Sequence, residues 1–273
     1  MLWLLASLGI AVSWGADVWH VTPGRHARPV LVVQTPGVAR PAMLPLLQAL
    51  ASQGDDVHLV TLPCDADDTT ALAGQVAQAV RALGPKTVVV AHGLGATLAL
   101  RAAPDAPARG YVLLAPVLDL WPEQATTFLA GRTVGGAVDL RQPLPWAGHE
   151  LRTVLLGDPL PPLSCVASGL ATDVQAWIRA AHVPLDLSAV KAPAWVGVSL
   201  GDEVATLEAV LPAARRLPEH AVVRLGIDRL DPQDYDHAQM LGDAVPVRVA
   251  VKAACRLVRR GRLRHPETAR SGL

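Results

Sequence analysis

Only three cysteines occur in the 273 residues, Cys64, Cys165 and Cys255, far apart and with no C-x-x-C spacing. That scarcity argues against a dense disulfide framework and against a thiolate zinc site. The odd count leaves at least one free thiol, and a single disulfide stays compatible with export. Net charge is lacking too: 24 basic residues balance 24 acidic ones, so no global field draws the chain to nucleic acid. Charged residues are sparse at 18% against 51% hydrophobic, a balance that argues against disorder over most of the length. Internal repeats and low-complexity tracts are absent. The acidic run Asp65–Asp68 lacks the ligand spacing of a calcium loop and reads as a helix start favoured by the macrodipole. Neither a metal nor a cofactor is expected.

The opening stretch MLWLLASLGIAVSWGADVW is apolar up to Trp14. It falls short of the roughly 20 residues that span a bilayer. It suits the apolar region of a signal peptide, with small residues around Gly15 for cleavage, although a positively charged start is missing. Residues 1–15 are therefore expected to form a leader or anchor in preference to a buried first strand, making the chain exported or membrane-associated, with a cytoplasmic location as the alternative. The basic concentration RLVRRGRLRHPETARSGL at the other end reads as a solvated helix terminus.

Between these ends, short β-branched runs alternate with segments of helical period, the pattern of a parallel sheet covered by helices. RPVLVVQ, DVHLVTLP, KTVVVA, GYVLLAPVLD, APAWVGVSLGDE and EHAVVRLGI read as strands. Among the helical segments, Leu72, Val76, Val80 and Leu83 line one face, and Gly84-Pro85 ends it. From 121 to 188 the rhythm breaks into proline-rich irregular sequence, expected to be a lid inserted over the sheet. Trp121, Phe128 and Trp146 give that lid an apolar character. The core is then 16–120 together with 189–273.

One stretch carries chemistry by its shape. In VVVAHGLGATLAL, Val88 to Leu100, a valine strand runs into a glycine-rich turn and then a small-residue helix. A G-x-S-x-G nucleophile elbow has this form, with serine at the centre. Here the central residue is Gly93, flanked by Ala91, His92, Leu94 and Gly95.

The order of parts resembles the α/β-hydrolase fold, and the likeness covers nearly everything after the leader. LVVQTPG is similar to the strand and turn that carry one oxyanion donor, which the resemblance places at Thr35, or at Pro36, which has no N–H to give. Leu94 supplies the other backbone donor. DLSAVKAPAWVGVSLGDEV resembles the stretch whose strand end bears the acid, implying Asp202. DYDHAQML resembles the late loop that holds the histidine, implying His237. Elbow, acid and histidine follow in the family's order.

The chemistry of such a site needs an oxygen that Gly93 lacks. Serine attacks once a histidine takes its proton, and the acid orients that histidine. Without Oγ no acyl-enzyme forms at residue 93. Elbow nucleophiles sit at positive φ, a strain of roughly 1–3 kcal/mol for other residues that glycine largely avoids. Thr97, Cys64, Ser164, Cys165 and Ser199 have no motif behind them as substitutes, and Asp119 reads as a helix cap or hinge before it reads as the acid.

The leading expectation is a non-catalytic α/β-hydrolase relative that binds a small apolar ligand or a protein partner. The alternatives are a weak hydrolase or lyase in which a His237–Asp202 dyad activates water or takes a substrate proton, and a structural subunit of an envelope assembly attached through its N-terminal apolar segment.

Overall fold

A computed structural model describes residues 11–14, 18–22, 28–34, 40–62, 69–118, 133–134, 137–138, 185–202, 205–226, 233–235 and 239–263. The strands are β1 (Ala11–Trp14), β2 (Val18–Thr22), β3 (Pro29–Val33), β4 (Asp56–Val60), β5 (Val88–His92), β6 (Gly110–Leu114), the two-residue strands β7 (Thr133–Val134) and β8 (Ala137–Val138), β9 (Ala194–Ser199) and β10 (His220–Leu225). The helices are α1 (Arg40–Ala51), α2 (Thr69–Leu83), α3 (Gly93–Ala102), α4 (Leu207–Ala214), α5 (Gln239–Gly242) and α6 (Ala244–Arg260).

Eight strands form one sheet in the order β1-β2-β4-β3-β5-β6-β9-β10. The six from β4 to β10 are parallel; β2 runs antiparallel to β4, and β1 antiparallel to β2. The central strands are buried along their whole length because both faces are covered, which is why they read as continuous Val/Leu runs and not as alternating ones. Helices α1 and α6 pack on each other, α2 packs on α3, and α4 lies on β9 and β10. In α2, Leu72, Val76 and Val80 are buried as their spacing predicts, and Gly84, at φ +90°, closes the helix with its N–H on the Val80 carbonyl at 2.9 Å.

Each strand read from the core sequence is present within a few residues of its expected bounds. The β1–β2 hairpin takes up the alternative of a first strand within the stretch preferred as a leader. Ala11–Trp14, within the stretch read as a leader, pairs with β2 as the edge strand of the sheet. Apolar character alone does not separate a leader from a strand, since both are short and uncharged. Of the expected lid, the described residues comprise only the β7–β8 hairpin and the residues from Leu185 onward, where Leu187–Ala189 forms a 3-10 turn.

Winding direction places the site. From β3 the chain steps to β4 on one side, then crosses back to β5 on the other. In open α/β sheets the ligand crevice lies outside the carboxyl ends of the strands at such a reversal. Gln34 and Gly93 follow directly from β3 and β5 at that point.

Candidate active site

Gly93 begins α3 immediately after β5, with φ +54°. His92 before it is extended, at φ −125° and ψ 148°, and is only 1% exposed. The backbone therefore passes from strand to helix through a single left-handed residue, the conformation that glycine adopts at least cost. The turn is held from the loop after β6. Val117 N–H donates to the Gly93 carbonyl at 3.3 Å, and the Thr97 hydroxyl donates to the Val117 carbonyl. Thr97 is thereby turned onto the loop after β6. Ala115, at φ +44°, lies in the same loop and donates its N–H to the Gly197 carbonyl at 2.8 Å.

Leu94 is the second residue of α3 and buried. Its amide is one of those that helix geometry leaves without an i−4 carbonyl, at the positive end of the macrodipole. Ala91 and Gly95 flank the turn inside the core, one ending the strand and the other opening the helix. Thr35 and Pro36 lie outside the described residues, as do Cys64, Asp65–Asp68, Asp119, Ser164 and Cys165. The last described residue of the β3 rim is Gln34, buried, with its N–H on the Val60 carbonyl at 3.1 Å. Val33 pairs with Ala91, so Gln34 stands level with His92 on the neighbouring strand.

Asp202 follows β9 at the same carboxyl edge and is 2% exposed. Its Oδ1 accepts the Ala205 N–H at 2.7 Å, which fixes one carboxylate oxygen in the turn that leads to α4. The helix is then capped by Thr206, whose hydroxyl accepts the Ala209 N–H at 3.3 Å.

His237 lies outside the described residues, but the chain on either side of it is described. Two residues before it, buried Tyr235 donates its N–H to the Ser199 hydroxyl and to Asp234 Oδ1, both at 3.1 Å. Ser199 in turn donates to Asp234 Oδ1 at 2.5 Å. Burial pushes the Asp234 carboxyl up, yet the donors from Ser199, Gly201 and Tyr235 and the positive charge of Arg224 outweigh it and hold it below the usual carboxylate value. Two glycines make room. A Cβ on Gly201 would lie 3.0 Å from Asp234 Cγ, and one on Gly226 would lie 2.6 Å from the Gln233 carbonyl oxygen. The segment leading to His237 is thus clipped to the end of the strand that leads to Asp202.

That clip was not read from the sequence, where Ser199 had no motif and Asp234 stood only as the first residue of DYDHAQML. Its signal was faint: a serine ending β9, with Gly201 two residues on and Gly226 just past the neighbouring strand. Among the described residues no group of three His, Cys, Asp or Glu side chains converges as a metal site would require.

No family model matches the chain, and no curated protein sequence does. Solved structures do. A membrane phospholipase A described as a bacterial virulence factor superposes with TM-score 0.66 at 17% identity, over 95% of this chain and 92% of that one. A monoacylglycerol lipase from Paleococcus ferrophilus gives 0.61 at 15% identity, over 89% and 99%. An alpha/beta hydrolase fold protein from Chitinophaga pinensis gives 0.61 at 13%, over 91% and 96%. With the parallel sheet and the strand–turn–helix unit at Gly93, these likenesses establish the α/β-hydrolase fold for this chain.

Proposed function

We propose that this protein uses the α/β-hydrolase fold to bind, and not to hydrolyse, presenting a pocket to a small apolar ligand or a partner segment. One observation carries the reading: the residue at the β5–α3 turn is Gly93, at φ +54°, with no side-chain oxygen. The amide of Leu94 and the buried carboxylate of Asp202 remain at the rim, so the site keeps features that orient a polar ligand group. Covalent acyl transfer has no atom to start from at residue 93. Thr97 and Ser199, two described hydroxyls nearby in sequence or along the rim, are engaged with Val117 and Asp234.

The test is covalent labelling with a fluorophosphonate, read by intact mass, beside turnover of p-nitrophenyl esters. The expected result is no adduct and no turnover above background in the native chain. A stoichiometric adduct on any pocket residue overturns the reading. Gly93→Ser in the same assays reports whether the rest of the machinery stands ready.

A second reading is favoured by the burial of Asp202, a carboxylate kept at a desolvation cost. In it, Asp202 orients His237 to activate water in the space left by the absent side chain. Turnover that vanishes in His237→Ala and survives in Thr97→Val supports it; turnover indifferent to His237 removes it.

A further inference from the structure

The carboxyl edge of the sheet holds a polar row that the turn at Gly93 does not account for. Val33 pairs with Val60 on one side and with Ala91 on the other. The ladder runs one residue further, where the Gln34 N–H donates to the Val60 carbonyl at 3.1 Å. Thr61, Gln34 and His92 therefore stand level on three adjacent strands, about 4.8 Å from one to the next, with their side chains on one face of the sheet. The residues one step back, Val60, Val33 and Ala91, are buried and apolar. Gln34 and His92 are buried too and have interactions of their own.

Thr61 differs. Its Oγ1 is shut off from solvent and has no hydrogen-bond partner among the described residues. A buried hydroxyl in that condition costs stability, and a methyl group of the same shape would not. The buried hydroxyls of Thr87, Thr97 and Ser199 are all bonded, to the Gly84 carbonyl, the Val117 carbonyl and Asp234. The open one lies where β3 stands between β4 and β5, the reversal of winding at which open α/β sheets hold their ligands.

The chemistry of the row narrows what it receives. Hydroxyl, carboxamide and neutral imidazole each both donate and accept, and so match a head group that does both. The described carboxyl ends of the strands carry no lysine or arginine, and Asp202 places a buried carboxylate at the same edge. An anionic head would meet a like charge and no counter-charge; a neutral hydroxyl meets no such penalty.

We propose that Thr61, with Gln34 and His92 beside it, seats the hydroxyl head of an apolar primary alcohol. This rests on the reading of the fold as a binding scaffold and names the ligand's chemistry: a neutral head that donates and accepts, on a hydrocarbon body. Thr61 Oγ1 makes to that head the bond that the fold leaves open.

The test is isothermal titration of the full chain with decanol, decanoate and decyl methyl ether, whose heads are a hydroxyl, an anion and an acceptor alone. Decanol is expected to bind about tenfold tighter than either of the others. Thr61→Val keeps the shape and removes the hydroxyl. It is expected to weaken decanol by about two- to tenfold, the worth of one net hydrogen bond, and to leave the ether unchanged. Without ligand its melting temperature is expected to equal or exceed that of wild type. Decanoate or the ether binding as tightly as decanol overturns the proposal, and so does a variant that binds decanol like wild type. A variant that melts below wild type also overturns it, because the hydroxyl is then bonded within the fold. If none of the probes binds, the binding reading itself fails and this assignment falls with it.

Discussion

Ser199, the last residue of β9, donates its hydroxyl to Asp234 at 2.5 Å, across the gap between the acid-bearing strand and the late loop. The bond joins residues 35 apart in sequence and places the approach to His237 against the approach to Asp202. Removing the hydroxyl leaves the Asp234 carboxylate short of its strongest donor. Ser199→Ala is expected to cost about 1.5–3 kcal/mol near neutral pH, the range for a hydrogen bond to a charged group. The pH dependence has a definite sign. The Asp234 carboxyl is held below its ordinary value, so its contribution is present above the ordinary carboxylate range and fades as pH falls through the folded value. Urea denaturation at several pH values should show the gap between wild type and variant narrowing on acidification.

Asp202 allows its structural and chemical roles to be separated. Its Oδ1 accepts the Ala205 N–H, an interaction that the carbonyl oxygen of asparagine can also make. Asp202→Asn should stay within about 1 kcal/mol of wild type, whereas Asp202→Ala, which strands a buried N–H, should lose about 1–3 kcal/mol. If the second functional reading holds, the asparagine variant loses turnover while keeping its melting temperature. Equal stability of the two variants would mean that the turn does not depend on this bond.

Two left-handed glycines should respond differently to alanine. Gly84, at φ +90°, faces open space, so Gly84→Ala carries backbone strain alone, about 1 kcal/mol. Gly226, at φ +87°, has a backbone carbonyl 2.6 Å from where a Cβ would sit. Gly226→Ala is expected to cost at least 2 kcal/mol and to loosen the loop that carries Asp234. Thermal melts of the two variants side by side read the difference directly. Similar melts would remove the close approach from the account.

The parallel sheet was legible because its cause is local. Strands buried on both faces must be runs of Val and Leu, and the helices between them must show one apolar stripe, as Leu72, Val76 and Val80 do. The elbow was legible because a left-handed turn between strand and helix demands small residues, and the sequence supplies Gly93 and Gly95 there. The Ser199–Asp234 clip was not legible, because a hydrogen bond between two loops distant in sequence leaves no periodicity. The basic run near the chain's end was visible, but not its alignment into one stripe beside α1, which depends on how α6 packs. The first strand of the β1–β2 hairpin was legible only as the lesser alternative, because the hydrophobicity of its stretch suits a leader equally well.

That hairpin makes processing and architecture interdependent. Cleavage around Gly15 would take Ala11–Trp14 away and turn Val18–Thr22 into the outermost ribbon of the sheet, its N–H and C=O groups bare along the side that β1 had occupied. A trimmed chain would be predisposed to take up a foreign extended segment there, or a second copy of itself.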